Sequence, residues 1–398
     1  MTIGGLGMPE SAVTPAAAEE TRSACRTTLW RYTCRPNHAA SATKGPKVEE
    51  RVLCYDMGGR RIRAAIATRE RLLAQCDGDL PTRLTNPELD DLGVRMGRQV
   101  LERSGTRTGD LLGIGFGAAG EWDGLIIRFS PNNPVRHNIT VPQHVCDTFR
   151  RPTKGANDLK AAVYAVPVYG HGKGRRLTIV AAITYSDGNN IAILNRECPY
   201  PGYRDLSQEV GHAHIEHGPA ARWCGCGARG CFEAYVSGTA AANMAIEALQ
   251  ARRVKLDHEP IFQVAKRRLA RKGDEGRPLD DSGVLAGIRA EHVYEALKEH
   301  NDPIARWICE TQKYYVAHQL AHVCLHHRPE LIELFGGLTN QREQLFEPAI
   351  ADLAANPAKY AYPEFKPPEI KVTALGDDIG LYGAASMVFL AKETAMPT

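Results

Sequence analysis

Short apolar runs bounded by glycine-containing turns recur along the chain, and stretches of helical period alternate with them. Val52–Tyr55 is apolar, Gly58-Gly59 follows, and Ile62–Thr68 is a second apolar run, which predicts strand, turn, strand. Within Pro87–Ser104, Leu89, Leu92, Val94, Met96, Val100 and Leu101 fall at helical spacing and predict an amphipathic helix. Leu111–Phe116 reads as a strand. The segment LTIVAAITYSDGNNIAILNRE reads as strand, turn, strand, with its turn at Thr184–Asn190. Ala240–Gln250 is helical, Ala290–Ala321 holds two amphipathic helices, and Leu331–Phe335 is a strand running into Gly336-Gly337. In the closing ALGDDIGLYGAASMVFLAK, Gly380 and Gly383 permit close helix packing. Strands interleaved with helices predict an α/β fold. Residues 1–47, rich in Ala, Ser, Thr, Gly and Pro, read as a flexible extension. The run AAAEETRSACRTTLWRYTCRP there has room for one short helix, with Trp30 and Tyr32 to dock on the body.

Composition narrows the classes. A chain of 398 residues is long enough for two domains, at ~100–200 residues each. The net charge of +3 is too small to argue for nucleic acid or an acidic partner. No window approaches the ~18 consecutive apolar residues of a membrane span. The opening MTIGGLGMPE lacks the basic region and apolar core of a secretory signal. The cysteines are odd in number, 11, and scattered outside one cluster, which fits a reducing compartment; a cytoplasmic location is expected.

That cluster lies in Glu209–Glu233, EVGHAHIEHGPAARWCGCGARGCFE. Cys224, Cys226 and Cys231 form C-x-C-x4-C with glycines between them, which lets a short loop bring three sulfurs to one point. With one imidazole from His212 or His214, they make a closed tetrahedral zinc site of the structural kind. Spacing allows either histidine. A knot fixing this backbone also fixes the flanking carboxylates, Glu209 and Glu233. Fixed carboxylates accept hydrogen bonds from the hydroxyls of a polyol.

E-x-G-H followed by C-G-C-G-x-x-G-C-x-E resembles the signature of the ROK family (repressor, open reading frame, kinase) of sugar kinases and sugar-responsive repressors. The resemblance implies zinc on His212, Cys224, Cys226 and Cys231, and sugar contacts from Glu209, His212 and Glu233. It extends over about residues 50–392. Asp56, Gly58 and Gly59 resemble the D-x-G-G-T phosphate motif of the actin-like ATPase superfamily, with Arg60 and Arg61 where threonine and lysine are usual. The acid there would hold Mg²⁺ through water, and Arg60 can still pair with phosphate. GFGAAG resembles the sugar-side G-x-P-G loop, with Ala119 in place of proline. Pro131-Asn132 resembles the start of PNL-x-x-W, implying Asn132 at the sugar pocket. Asn157-Asp158 resembles the family's N-D pair at a helix start. It implies Asp158 as the general base toward a sugar hydroxyl and Asn157 as a sugar contact; both residue types are also favoured helix caps. In TYSDGNN only Gly188 is kept from the phosphate-binding turn G-T-G-x-G-G-G. There Tyr185 brings bulk and Asp187 negative charge to where phosphate is expected. Gly336 and Gly337 resemble the adenosine-side loop.

The resemblance implies an actin-like ATPase (ribonuclease H-like) α/β fold of two lobes around a cleft. Residues 48–165 would form a small lobe completed by helix 378–392. Residues 166–377 would form a large lobe with the zinc-binding loop 209–233 and an insertion at about 252–285. The basic run KRRLARK in that insertion reads as a solvated helix face, and His318, His322, His326 and His327 as helix-surface or core residues. The expected activity is ATP-dependent phosphorylation of glucose or a related hexose, at the 6-hydroxyl, with structural Zn²⁺, with Mg²⁺ accompanying ATP, and with a homodimer as the assembly. The alternative is a sugar-binding or regulatory protein of weakened catalysis. A DNA-binding repressor needs an N-terminal winged helix-turn-helix, for which residues 1–47 are too short and too poorly patterned; no nucleic-acid or membrane partner is expected.

Overall fold

Apolar runs buried on both faces form the centres of two sheets, and helices cover them. The computed structural model describes residues 49–196, 198–200, 208–252, 255–272 and 280–395; the expected N-terminal extension lies outside the described residues. The first half runs β1 (Arg51–Met57), β2 (Arg61–Ala67), β3 (Leu72–Asp79), α1 (Asn86–Ser104), β4 (Leu111–Ala118), β5 (Glu121–Asp123), β6 (Ile126–Phe129), β7 (His137–Ile139), α2 (Val141–Phe149), β8 (Thr153–Ala156) and α3 (Asp158–Val168). The second runs β9 (Ile179–Tyr185), β10 (Asn189–Asn195), β11 (Cys198–Pro199), α4 (Glu233–Val236), α5 (Gly238–Ala251), α6 (Pro260–Lys272), α7 (Asp281–Gly287), α8 (Ala290–His300), α9 (Pro303–His327), β12 (Leu331–Phe335), α10 (Glu347–Ala355), α11 (Pro357–Tyr360), β13 (Glu369–Val372) and α12 (Ile379–Ala395).

The two large sheets have one plan. Their orders are β3-β2-β1-β4-β8 and β11-β10-β9-β12-β13. In each, the hairpin is antiparallel, while the strands beyond the central one run parallel to it. This duplication leaves no visible repeat in the sequence, because a strand needs only an apolar pattern and its residues can differ between halves. The third sheet, β5-β6-β7, is a small flap after β4.

Helices α3 and α12 pack on each other between the sheets. The core there joins Val52 and Cys54 of β1, Val163 and Val166 of α3, Val180 and Ala182 of β9, and Phe389 of α12. The close approach needs glycine in β4: a Cβ on Gly115 would lie 1.9 Å from the Ala384 carbonyl oxygen. Helix α12 packs on β4, β1 and β8 of the first sheet, and α3 touches both sheets. Helices α1 and α2 cover the outer face of the first sheet, where Leu89, Val100 and Val145 meet Leu53, Ile66 and Phe116. Helices α9 and α10 cover the second, with Val316, Leu320 and Leu353 against Ile183 and Ile191.

The expected insertion contributes α6 and α7, which pack with α5 and α8 in a separate apolar cluster around Phe262, Val284 and Val293. In its basic run, Arg267 pairs with Glu299 at 2.8 Å and Arg268 Nε with Glu295 at 2.7 Å. That run is a solvated, ion-paired face. His318 and His322 lie half-buried on α9, with the His322 ring edge-on to Phe232. No described helix is long and apolar enough to cross a membrane.

Candidate active site

In open α/β sheets the crevice beyond the carboxyl ends of parallel strands collects ligands. Three carboxylates converge near the end of β1 and the start of α3. Asp56 is paired in register with Gly117 of β4, and the Cα of Asp158 lies 3.9 Å from where a Cβ on Gly117 would stand. Asn157 caps α3: its Oδ1 accepts from the Leu159 N–H at 3.1 Å. Asp158 is the first residue of the helix, and its Oδ1 accepts from the same N–H at 2.9 Å. Burial, then the negative charge of Asp56, with a further contribution from Glu209, lifts the Asp158 pKa from 3.8 to about 6.

Asp56 has a partner that the sequence did not announce. Arg63, seven residues on across the hairpin, donates to Asp56 Oδ2 from Nη2 at 2.5 Å and Nε at 3.2 Å. Arg63 also reaches Asp378 Oδ1 at 3.2 Å and the Asp377 carbonyl at 2.6 Å. Gly380 leaves room for the Asp56 carboxylate, which would lie 2.5 Å from a Cβ there. The expected Mg²⁺ acid therefore sits in an ion pair at the start of α12.

The β1–β2 turn closes through the Gly58 N–H and the Arg61 carbonyl at 2.9 Å. Gly59 touches the loop after β6: a Cβ on it would stand 2.6 Å from the Asn132 carbonyl oxygen. Asn132 and Arg60 are exposed here, while the neighbouring Asn133 is buried and shapes its loop by accepting from the Val135 N–H at 3.0 Å. The structure thus brings Asn132 against the phosphate-type turn.

In the second half, the β9–β10 turn corrects one expectation. Tyr185 does not project into the turn; it is fully buried, edge-on to Phe346 at 4.9 Å between centroids. Alternation along β9 puts it on the core face with Ala181 and Ile183. Asp187 is exposed at the tip. Gly188 faces Glu233, whose Oε2 would be 3.0 Å from a Cβ there. Gly336, with φ of 101°, crosses over the Tyr185 carbonyl, and Gly337 beside it is open.

Of the two candidate histidines the structure selects His212. The ligand atoms of His212, Cys224, Cys226 and Cys231 all lie within 4.8 Å of one another. Tetrahedral zinc with Zn–S of ~2.3 Å requires sulfurs about 3.8 Å apart and a sulfur–nitrogen edge of about 3.6 Å. Cys226 Sγ and Cys231 Sγ are 3.7 Å apart, and Cys224 Sγ is 3.6 Å from His212 Nδ1. A disulfide needs ~2.05 Å, so these sulfurs are spaced for a metal. His214 is exposed and outside the group, bridging to Cys231 through its backbone.

The flanking carboxylates meet the β9–β10 turn. Glu209 Oε2 accepts from Asn190 Nδ2 at 2.7 Å. Glu233 Oε2 accepts from the Asn189 N–H at 2.9 Å. Gly211 lies directly against the Asn189 carbonyl, which a Cβ would approach to 1.8 Å. Beneath the turn, the buried Gln319 of α9 donates to Asn189 Oδ1 at 2.5 Å and accepts from its Nδ2 at 3.2 Å. The pattern of the chain offered no signal for Arg63 or Gln319, because each acts on a partner brought close only by folding.

Two sheets of the same strand plan, with α3 and α12 packed between them, define the actin-like ATPase fold class. The sequence profile of the ROK family matches residues 52–391, and the chain belongs to that family. Glucokinase of Thermotoga maritima is 24% identical over 349 residues, covering 86% of this chain and 98% of its own. The structure of a ROK family glucokinase from Streptomyces griseus, in complex with glucose and AMPPNP, aligns with a TM-score of 0.64 at 24% identity, over 85% of this chain and 98% of that one. A ROK family transcriptional regulator, a homolog of the E. coli MLC protein, aligns with a TM-score of 0.65 at 17% identity, over 86% of this chain and 79% of that one. These likenesses show the fold that kinases and a regulator share.

Proposed function

We propose that this protein is an ATP-dependent hexose kinase acting on glucose or a related sugar, at the 6-hydroxyl. The observation that carries the reading is Asp158: a partly buried carboxylate at the start of a helix, beside Asp56 and Glu209, with its pKa raised to about 6. Such a group is ionised at neutral pH and basic enough to take a proton. In the reaction Asp158 accepts the proton of the sugar hydroxyl as that oxygen bonds to the γ-phosphorus of ATP. The bond from the γ-phosphorus to the β,γ-bridging oxygen breaks, and ADP leaves. Asn132, Asn157, Glu209, His212 and Glu233 hold the sugar. Asp56, Gly58, Gly59, Arg60, Gly188, Gly336 and Gly337 serve the nucleotide. Mg²⁺ bound with ATP neutralises phosphate charge. Zn²⁺ on His212, Cys224, Cys226 and Cys231 is structural, and its donor set fits, as the sulfur spacing above supports. A cytoplasmic homodimer is part of the same reading.

A second reading, a sugar-binding protein of weakened catalysis, is favoured by the Arg63–Asp56 ion pair, which occupies the expected Mg²⁺ acid. One assay separates the two: ADP release from Mg·ATP by zinc-replete full-length protein, across a panel of hexoses and amino sugars. Turnover with one sugar, lost in D158N, is the expected result. No turnover with any sugar, while one of them raises the melting temperature, overturns the kinase in favour of the binder.

A further inference from the structure

The first two residues of β10, directly after the β9–β10 turn, hold both carboxylates that flank the cysteine knot. The Asn189 N–H donates to Glu233, and the Asn190 side chain donates to Glu209. The direction of the second bond is fixed by its surroundings. Asn190 Oδ1 accepts from the Val210 N–H at 3.1 Å and from the Ile191 N–H at 2.8 Å. Its oxygen is therefore committed to backbone donors, and its NH₂ must face Glu209. Glu209 is exposed, so a ligand can reach it. With Oε2 engaged by Asn190, Oε1 carries no protein hydrogen bond among the described residues and is directed by the same contact.

We infer that Asn190 is a positioning residue for Glu209, and that the Asn189-Asn190 pair sets the separation of the two carboxylates that read neighbouring hydroxyls of a pyranose. The inference rests on the sugar-kinase reading. A carboxylate free to rotate loses part of its hydrogen-bonding advantage to ordering on binding; one held by a charge-assisted bond does not. The turn that lies toward the phosphate side thereby also fixes the sugar side, and changes in it alter which sugar fits.

The test is calorimetric titration of full-length, zinc-loaded protein with D-glucose, D-mannose and N-acetyl-D-glucosamine, and separately with Mg·ADP. N190D keeps an oxygen for the Val210 and Ile191 N–H groups but sets a carboxylate against Glu209. Its affinity for the sugar that the parent binds best falls by about tenfold or more, with Mg·ADP affinity kept within about threefold. Asn190→Ser, too short to reach Glu209, shows the same split, and carries the test if N190D does not yield folded protein. Sugar affinity within about threefold of the parent, or an equal loss for sugar and Mg·ADP, overturns the inference and leaves the kinase reading standing. A parent that binds none of the sugars overturns both.

Discussion

Replacing Asp158 by asparagine removes its charge while keeping its shape. The amide oxygen still accepts from the Leu159 N–H, so the start of α3 is retained. What is lost is a carboxyl whose pKa burial, then Asp56, lift from 3.8 to about 6. Between those values the folded protein holds a proton that the unfolded chain has released, so stability falls as pH rises through this window. Above it the whole cost of the ionised group is present. At ~1.36 kcal/mol per pKa unit the ceiling is about 3 kcal/mol, and partial contact with water brings it lower. For a chain of this size that corresponds to roughly 4 °C in Tm. D158N protein is therefore expected to melt up to about 4 °C above the parent near pH 8, with the gap closing toward about pH 4. Scanning calorimetry of the ligand-free, zinc-replete proteins across pH measures it. Equal or lower melting near pH 8, or a gap that does not change with pH, refutes the electrostatic argument. The catalytic expectation has the opposite sign: kcat/KM of the parent rises with pH to a plateau above about 6, and D158N loses ~10²–10⁴ in turnover.

Three further substitutions test the supports of the site. Cys226→Ser is expected to lower bound zinc from about one per chain to below about 0.2 by elemental analysis, with sugar binding lost alongside it. Gly59→Ala forces a Cβ to within 2.6 Å of the Asn132 carbonyl, so the two loops must part; about 1–3 kcal/mol of stability and ~10²-fold in kcat/KM should be lost, the first read by denaturant melts and the second by initial rates. Gln319→Leu leaves Asn189 Oδ1 without its donor, while Nδ2 keeps the Thr184 carbonyl at 2.9 Å, and should cost about 1–3 kcal/mol in the same melts; an unchanged midpoint would show that the buried pair carries no net stability.

The parts of this protein legible in the sequence are those whose physics is local. Apolar runs ending in glycine turns place β1, β2, β4, β9 and β12 within a few residues, because burial on both faces requires a continuous apolar run. The C-x-C-x4-C spacing brings three sulfurs together for the same reason, since the loop closes on itself. Between His212 and His214 spacing is silent; a short turn of 3-10 helix over Val210–His212 aims the first inward. Arg63 carries no signal in the sequence, because its partners include Asp377 and Asp378, more than three hundred positions away. Tyr185 is hidden for a different reason. Taking TYSDGNN as one loop motif hid the strand parity that carries through Ala181, Ile183 and Tyr185 to a single buried face.

That parity bears on the choice between kinase and binder. In the sequence, weakened ATP use is suggested by four features: Arg60 where threonine is usual, the bulk of Tyr185, the charge of Asp187, and side chains in place of glycines. Tyr185 is in the core, so its ring takes no space from the turn. Asp187 stands exposed at the tip, where water screens its charge. The side chains of Asn189 and Asn190 are engaged with Gln319 and with Glu209 and Val210. The turn is thus built by side-chain hydrogen bonds where a glycine-rich loop relies on backbone freedom, and it costs the site less than its composition implies. Arg60 stands exposed in the β1–β2 turn, and the structure adds a feature that the sequence does not show, the Arg63–Asp56 pair. An ion pair in which both side chains are under a fifth exposed is broken only by something that gives more in return. Mg²⁺ carried with ATP would have the charge to compete for Asp56, and Arg63 would keep the Asp378 carboxylate beside it.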